Sequence, residues 1–210
     1  ALMNFVKDAE IPALNRQGCD KVGAFTGRFG GDSLALFMVI PHVSLEAFAT
    51  SERRLAEDEE YNKAGKDILE STLSDPAYLR IEKSLTVAFD AMPQIETPVS
   101  GNDRIFELRT YESHNRDAAR RKVHMFNNGE IDIFRKTGLN PVFFGESLTG
   151  PLLPNLIYMI GFENMDAHTE AWKTFGGHPE WKAIRTKPMY KDTVSSISNI
   201  ILRPAAFSQI

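Results

Sequence analysis

Arg104-Ile-Phe-Glu-Leu-Arg-Thr-Tyr111 alternates apolar and polar side chains with a period of two. That period is the pattern of a half-buried strand, and it sets Phe106 and Leu108 on one face and Glu107, Arg109 and Tyr111 on the other. Downstream, Ser113 and Asn115 can cap a helix expected over residues 117–136 and stopped by Gly138. Strand-like runs follow at 142–148 and 156–162, separated by the breakers Gly150-Pro151 and Pro154-Asn155. Asp166 can cap a second helix through Trp172, interrupted at Gly176-Gly177, and a further helical turn passes Trp181. A strand over 197–202, ended by Pro204, closes the series. The order is βαββαβ, a ferredoxin-like unit.

The same order stands upstream without its opening strand. Glu10-Ile11 answers to Glu130-Ile131, Leu14 to Phe134, Gly18 to Gly138, Val22 to Val142 and Glu60-Tyr61 to Glu180-Trp181, each pair 120 positions apart. A helix is expected over 2–16. Strands at 22–26 and 34–40 follow, with Gly27, Gly30, Gly31 and Asp32 as the turn between them. Ser44 caps a charged helical stretch reaching Leu69, and a strand over 85–89 ends the copy. Residues 1–91 therefore read as a first unit, 92–103, holding Pro93, Pro98 and Gly101, as a linker, and 104–210 as a second unit. The fold class expected is α+β: tandem ferredoxin-like units forming a pseudo-dimeric α/β barrel, the first lacking its first strand. Helices on one side of each sheet leave the other side bare, and burying two bare faces against each other removes exposed apolar surface. The chain opens at Ala1, directly in helical pattern, so the reading expects a removed N-terminal segment and leaves the compartment open between the cytoplasm and export.

Composition narrows the field. At 42% hydrophobic and 25% charged residues, with a net charge of −4, the chain has ordinary globular composition. The run Arg120-Arg121-Lys122 reads as a solvated helix face, and no nucleic-acid partner is expected. Cys19 is the only cysteine, so no intramolecular disulfide or thiolate metal cluster is available. The five histidines, at 42, 114, 124, 168 and 178, show no ligand spacing, so neither metal nor cofactor is expected. No apolar run reaches the roughly 18 residues of a membrane span. Gly27-Arg-Phe-Gly30-Gly31 is not a dinucleotide fingerprint, and no Walker, GxSxG or Cys-His signature is recognisable.

Three groups of residues carry the chemistry that remains. Glu130 falls within the apolar helix stripe of Val123, Phe126, Ile133 and Phe134, and Glu10 does the same among Met3, Val6, Ala13 and Leu14. A buried carboxylate must be paired, hydrogen-bonded or protonated, so Glu130 is either a structural hydrogen-bonding group or a general base. Glu107, Arg109 and Tyr111 are expected to point into the barrel if Phe106 and Leu108 cover the helices, where an Arg beside a Tyr could bind a carboxylate or polarise a carbonyl. The alternative for them is a structural Arg-Glu network. Trp172, Trp181 and Tyr158 complete the ligand-binding candidates, and His124 joins Arg109, Tyr111 and Glu130 as a catalytic one; packing is the bland reading of the two tryptophans, and a satisfied or half-exposed side chain that of His124.

Phe106-Glu-Leu-Arg-Thr-Tyr111, Ile131 to Gly138, Tyr158, His178-Pro-Glu-Trp181 and Asn199-Ile-Ile-Leu-Arg-Pro204, in this order and spacing, resemble the NIPSNAP domain. The likeness covers 104–204 well and 1–89 in a more diverged form. It implies membership of the dimeric α/β-barrel superfamily, supplies no agreed catalytic residue and leaves three readings open. The leading one is a barrel protein binding a small organic ligand or a protein partner. A cofactor-independent monooxygenase or isomerase acting on a small apolar substrate is the second. A structural assembly module, forming a homo-oligomer, is the third.

Overall fold

The structure, a computed structural model, describes residues 1–30 and 34–210, so the turn expected at Gly31 and Asp32 lies outside the described residues. The first helix comprises α1 (Leu2–Phe5), a π-helical turn (Val6–Glu10) and α2 (Ile11–Arg16); β1 (Gly23–Phe29), β2 (Leu36–Val39), α3 (Leu45–Ala56), α4 (Glu59–Ala64), α5 (Lys66–Leu69) and β3 (Leu85–Ala88) follow. The second series is β4 (Ile105–Glu112), α6 (Arg116–Met125), a π-helical turn (Phe126–Glu130), α7 (Ile131–Lys136), β5 (Asn140–Thr149), β6 (Asn155–Phe162), α8 (Met165–Gly177), α9 (Pro179–Arg185) and β7 (Ser196–Pro204). The fold is thus α+β, αββαβ followed by βαββαβ.

The caps explain where the helices begin. Ser44, Asp58, Asn115 and Asn164 each accept a hydrogen bond from the backbone N–H three residues on, satisfying a donor that the first turn leaves open. Asn164 takes the capping place expected of Asp166. The break expected at Gly176-Gly177 falls instead at His178, whose ψ of 131° is extended. Proline at the next position disfavours helical backbone in the residue before it, and Pro179 then opens α9.

The hydrogen-bonded strand order is β2-β1-β7-β4-β6-β5-β3. Within it β7-β4-β6-β5 is the ferredoxin arrangement, the closing strand beside the first and the first beside the third. All three pairings are antiparallel. At the far edge β3 runs antiparallel to β5, with Thr86 opposite Ser147 and Ala88 opposite Gly145. The approach is close enough that a Cβ on Gly145 would collide with the Thr86 side chain.

Two compact units divide the chain. One takes Ala1–Phe25, Phe37–Glu82 and Ala205–Ile210, the other Thr26–Leu36 and Lys83–Pro204. The first packs Val6, Ala13, Leu14, Val22, Phe25 and Leu55 in its interior. The second has a large aromatic core in which Phe126, Phe134, Phe144 and Tyr158 meet at ring-centroid distances of 5.0–5.8 Å.

Each first helix is interrupted by a π turn that ends on the repeated glutamate, Glu10 or Glu130. Such turns hold one extra residue per turn and rotate everything after them about the axis. In the second copy Gly129 carries φ +134° and ψ −27°, a conformation closed to side chains with a Cβ. Gly129→Ala is therefore expected to cost on the order of 1–3 kcal/mol. Equilibrium urea unfolding checks it, and a variant as stable as the parent would show that the turn adapts.

Candidate functional site

Two clusters of polar side chains lie beneath the helices of the second unit. The first centres on Glu107, which is 1% exposed. Its Oε1 accepts from the Arg109 guanidinium and from Asn199 Nδ2 at 2.8 Å; its Oε2 accepts from Trp172 Nε1 at 2.7 Å and faces His168 Nε2 at 3.1 Å. His168 and Trp172 stand one turn apart on α8, so one helix face delivers both. Burial alone would push the Glu107 carboxyl up; His168, the Arg109 charge, Trp172 and Asn199 outweigh it and hold it at about 2. Arg109 Cζ lies 4.6 Å from the centre of the Trp172 ring, a cation–π contact, and its Nη2 is 3.4 Å from the Tyr111 hydroxyl. That hydroxyl also accepts from Tyr158 Oη at 2.9 Å. Two nitrogens have no hydrogen-bond partner here, Arg109 Nε and His168 Nδ1.

This placement reverses the orientation expected for β4. Glu107, Arg109 and Tyr111 share the face of Ile105, opposite Ile160, Tyr158 and Leu156 of β6, and that face packs under the helices. Phe106 points the other way, toward Gly161 and Val99. Alternation alone misleads because this strand is buried on both faces at its start, Ile105 and Phe106 being 0% exposed. A glutamate can sit under the helices because four donors replace its lost water.

The second cluster is an ion pair. Lys122 Nζ stands 2.6 Å from Glu130 Oε2, and the two residues are 4% and 2% exposed. Burial raises the Glu130 carboxyl above its ordinary value, with Lys122 opposing. The ammonium also lies 4.4 Å from the centre of the Phe126 ring and 5.7 Å from that of Trp181. The pair opens onto a cleft of about 430 Å³ walled by Tyr111, Phe175, Trp181, Tyr190 and Ile197, with Arg185 and Asp192 also on its lining.

Lys122 is thus not part of a solvated face. Arg120 and Arg121 do pair at the surface with Asp117, whereas Lys122 turns inward. The π turn is the reason. Eight residues along an unbroken α-helix leave two side chains about 80° apart, but one inserted residue makes the span equivalent to seven and brings them within about 20°. In the first copy the position 120 earlier is Leu2, and Glu10 is hydrogen-bonded instead by Tyr61, the counterpart of Trp181.

The structure gathers Glu107, Arg109, Tyr111, Tyr158 and Trp172 into one network, and Tyr111, Glu130 and Trp181 around the cleft. His124 stands apart from Glu130's ion pair: it is exposed, its Nδ1 2.9 Å from Tyr190 Oη. Sequence reasoning missed Lys122, His168, Asn199 and Tyr190. His168-x-x-x-Trp172 at one-turn spacing was a legible signal; Lys122 was hidden by the π turn. Cys19 Sγ, in the other unit, lies 3.5 Å from His42 Nδ1, a pairing no motif indicated. Burial raises that thiol, so it is not an activated nucleophile. Among the described residues no cluster of His, Cys, Asp and Glu could hold a metal ion, and no helix is long and apolar enough to cross a membrane.

The NIPSNAP family profile matches residues 106–209, the span containing both clusters. The chain belongs to the NIPSNAP family. No curated relative matches this NIPSNAP chain. Among solved structures, a NIPSNAP-like domain protein from Burkholderia xenovorans is 23% identical over 51% of this chain and 90% of its own, with a TM-score of 0.47. A NIPSNAP family protein from Agrobacterium tumefaciens is also 23% identical, over 52% and 95%, with a TM-score of 0.46. A protein from Lactobacillus acidophilus, named as a candidate monooxygenase, covers 95% of this chain and 85% of its own at 10% identity and a TM-score of 0.59. This last likeness speaks for the fold along nearly the whole NIPSNAP chain, and for the fold alone.

Proposed function

We propose that the NIPSNAP domain of this chain binds a small, flat, uncharged organic molecule in the cleft over Lys122 and Glu130. The observation that carries this reading is a nearly fully buried ion pair bordering an open cleft with four aromatic walls. Apolar walls with a few convergent polar groups are the usual make-up of a small-molecule site. An ion pair serving stability alone would gain little from such a place, because burying two charges roughly cancels their attraction. Trp181 packs against Phe175 with the rings tilted by 34° and their centroids 4.5 Å apart, and it lines the cleft, the natural anchor for an aromatic guest.

Binding is read by ligand-observed NMR with uncharged monocyclic aromatics such as phenol, acetophenone and indole. Trp181→Ala is expected to weaken binding about tenfold, the loss of one good aromatic contact. If none of the probes binds, or the variant binds as well as the parent, the reading falls. Assembly is a second reading, favoured by β3, an edge strand whose Val87 is 52% exposed. Solution mass tests it, and a strict monomer would remove it.

A further inference from the structure

Resting on that cleft as a binding site, we propose that it is a proton-transfer site. It takes a phenol or enol as the oxyanion, the ligand's proton passing to Glu130 and the negative oxygen resting against the Lys122 ammonium.

The argument is one of charge. Lys122 and Glu130 neutralise each other in a place almost without water, 2.6 Å apart. A ligand entering as a carboxylate would bring a third charge beside Glu130, and an unbalanced charge in such surroundings costs several kcal/mol. A ligand with no acidic hydrogen leaves the pair as it stands and gains nothing from it. A neutral O–H acid has a third course: its O–H bond breaks, an O–H bond forms on a Glu130 oxygen, and Lys122 exchanges one oxyanion for another. The site then holds one cation and one anion before and after, so the transfer buries no extra charge. Burial favours the protonated form of Glu130, which makes it a better proton acceptor than a surface carboxylate. The remaining ionisable groups on the lining are Tyr111, Arg185, Tyr190 and Asp192. Tyr111 and Tyr190 are both held above the ordinary phenol value by burial, so they stay neutral and do not compete for the proton.

An enol bound in this way is poised for tautomerisation. With the oxygen's charge delocalised, the proton on Glu130 can return to carbon instead, giving the ketone. The reverse path breaks the C–H bond next to the carbonyl, and neither direction requires an oxidant or a cofactor.

The probe is 4-nitrophenol, whose neutral and ionised forms absorb at different wavelengths. The full chain is titrated into it at a pH one unit below the probe's own pKa. The expected result is a roughly tenfold or larger rise in the phenolate-to-phenol ratio of the bound probe, with the uncharged double variant Lys122→Met/Glu130→Gln binding the probe but leaving it neutral. Infrared difference spectra on the unmodified chain provide a second readout, a protonated carboxyl band appearing with the phenolate. Probe that binds by NMR yet stays neutral overturns the proton transfer and leaves the binding site standing. Probe that does not bind while other uncharged aromatics do overturns the phenol specificity. Failure of every aromatic overturns the site itself.

Discussion

Glu107→Ala is expected to cost about 3–5 kcal/mol of unfolding free energy, the range for breaking a buried ion pair by removing one partner. The loss exceeds that of an ordinary polar deletion because four donors converge on this carboxylate, from Arg109, Asn199, Trp172 and His168. Once it is gone, the Arg109 cation remains in a place where its side chain is only 14% exposed. The effect has a sign in pH. The Glu107 carboxyl is held at about 2 against an ordinary 4.5, so its contribution is complete above about 4.5 and is lost as the pH falls toward 2. That gap corresponds to about 3 kcal/mol by proton linkage. Urea unfolding between neutral pH and pH 2 should therefore show the parent losing stability on acidification more steeply than the variant. Parallel curves would mean that folding does not shift the Glu107 carboxyl from its ordinary value.

Lys122→Met should be similarly costly, about 3–5 kcal/mol near neutral pH, because it strands Glu130 with no cation. Here the pH sign is opposite. Burial already raises the Glu130 carboxyl, and removing Lys122 takes away what lowers it. A raised acid stabilises the fold while protonated and loses that contribution as the pH climbs through its folded value. The variant should approach the parent at low pH and fall behind it as the pH rises. Lys122→Met/Glu130→Gln should recover most of the loss, since no charge then remains buried. A double variant as unstable as the single one would place the cost in lost packing of the lysine stem against Phe126 rather than in charge.

Much of this was readable from the chain because it rests on local rules. The period of two at β4, the breakers between strands and the spacing of the two copies lead to αββαβ and βαββαβ without knowledge of any contact. Glu10 and Glu130 were conspicuous for a similar reason, each being a charge on an apolar stripe. Lys122 was not, because the helical wheel assumes a constant turn and the π turn breaks it. The orientation of β4 was hidden for another reason. Which face of a strand meets the helices depends on partners such as His168, Trp172 and Asn199, some 60 to 90 positions away.

The pairing of β3 with β5 has a consequence for anyone handling the chain in pieces. A fragment beginning at residue 104 would hold a complete βαββαβ set, yet the backbone of β5 that bonds Leu85 to Ala88 would be bare. One beginning at Lys83 would keep it covered. A naked edge of that kind recruits other copies of itself. The two halves of this chain are therefore not interchangeable: β5 of the second is paired by β3 of the first.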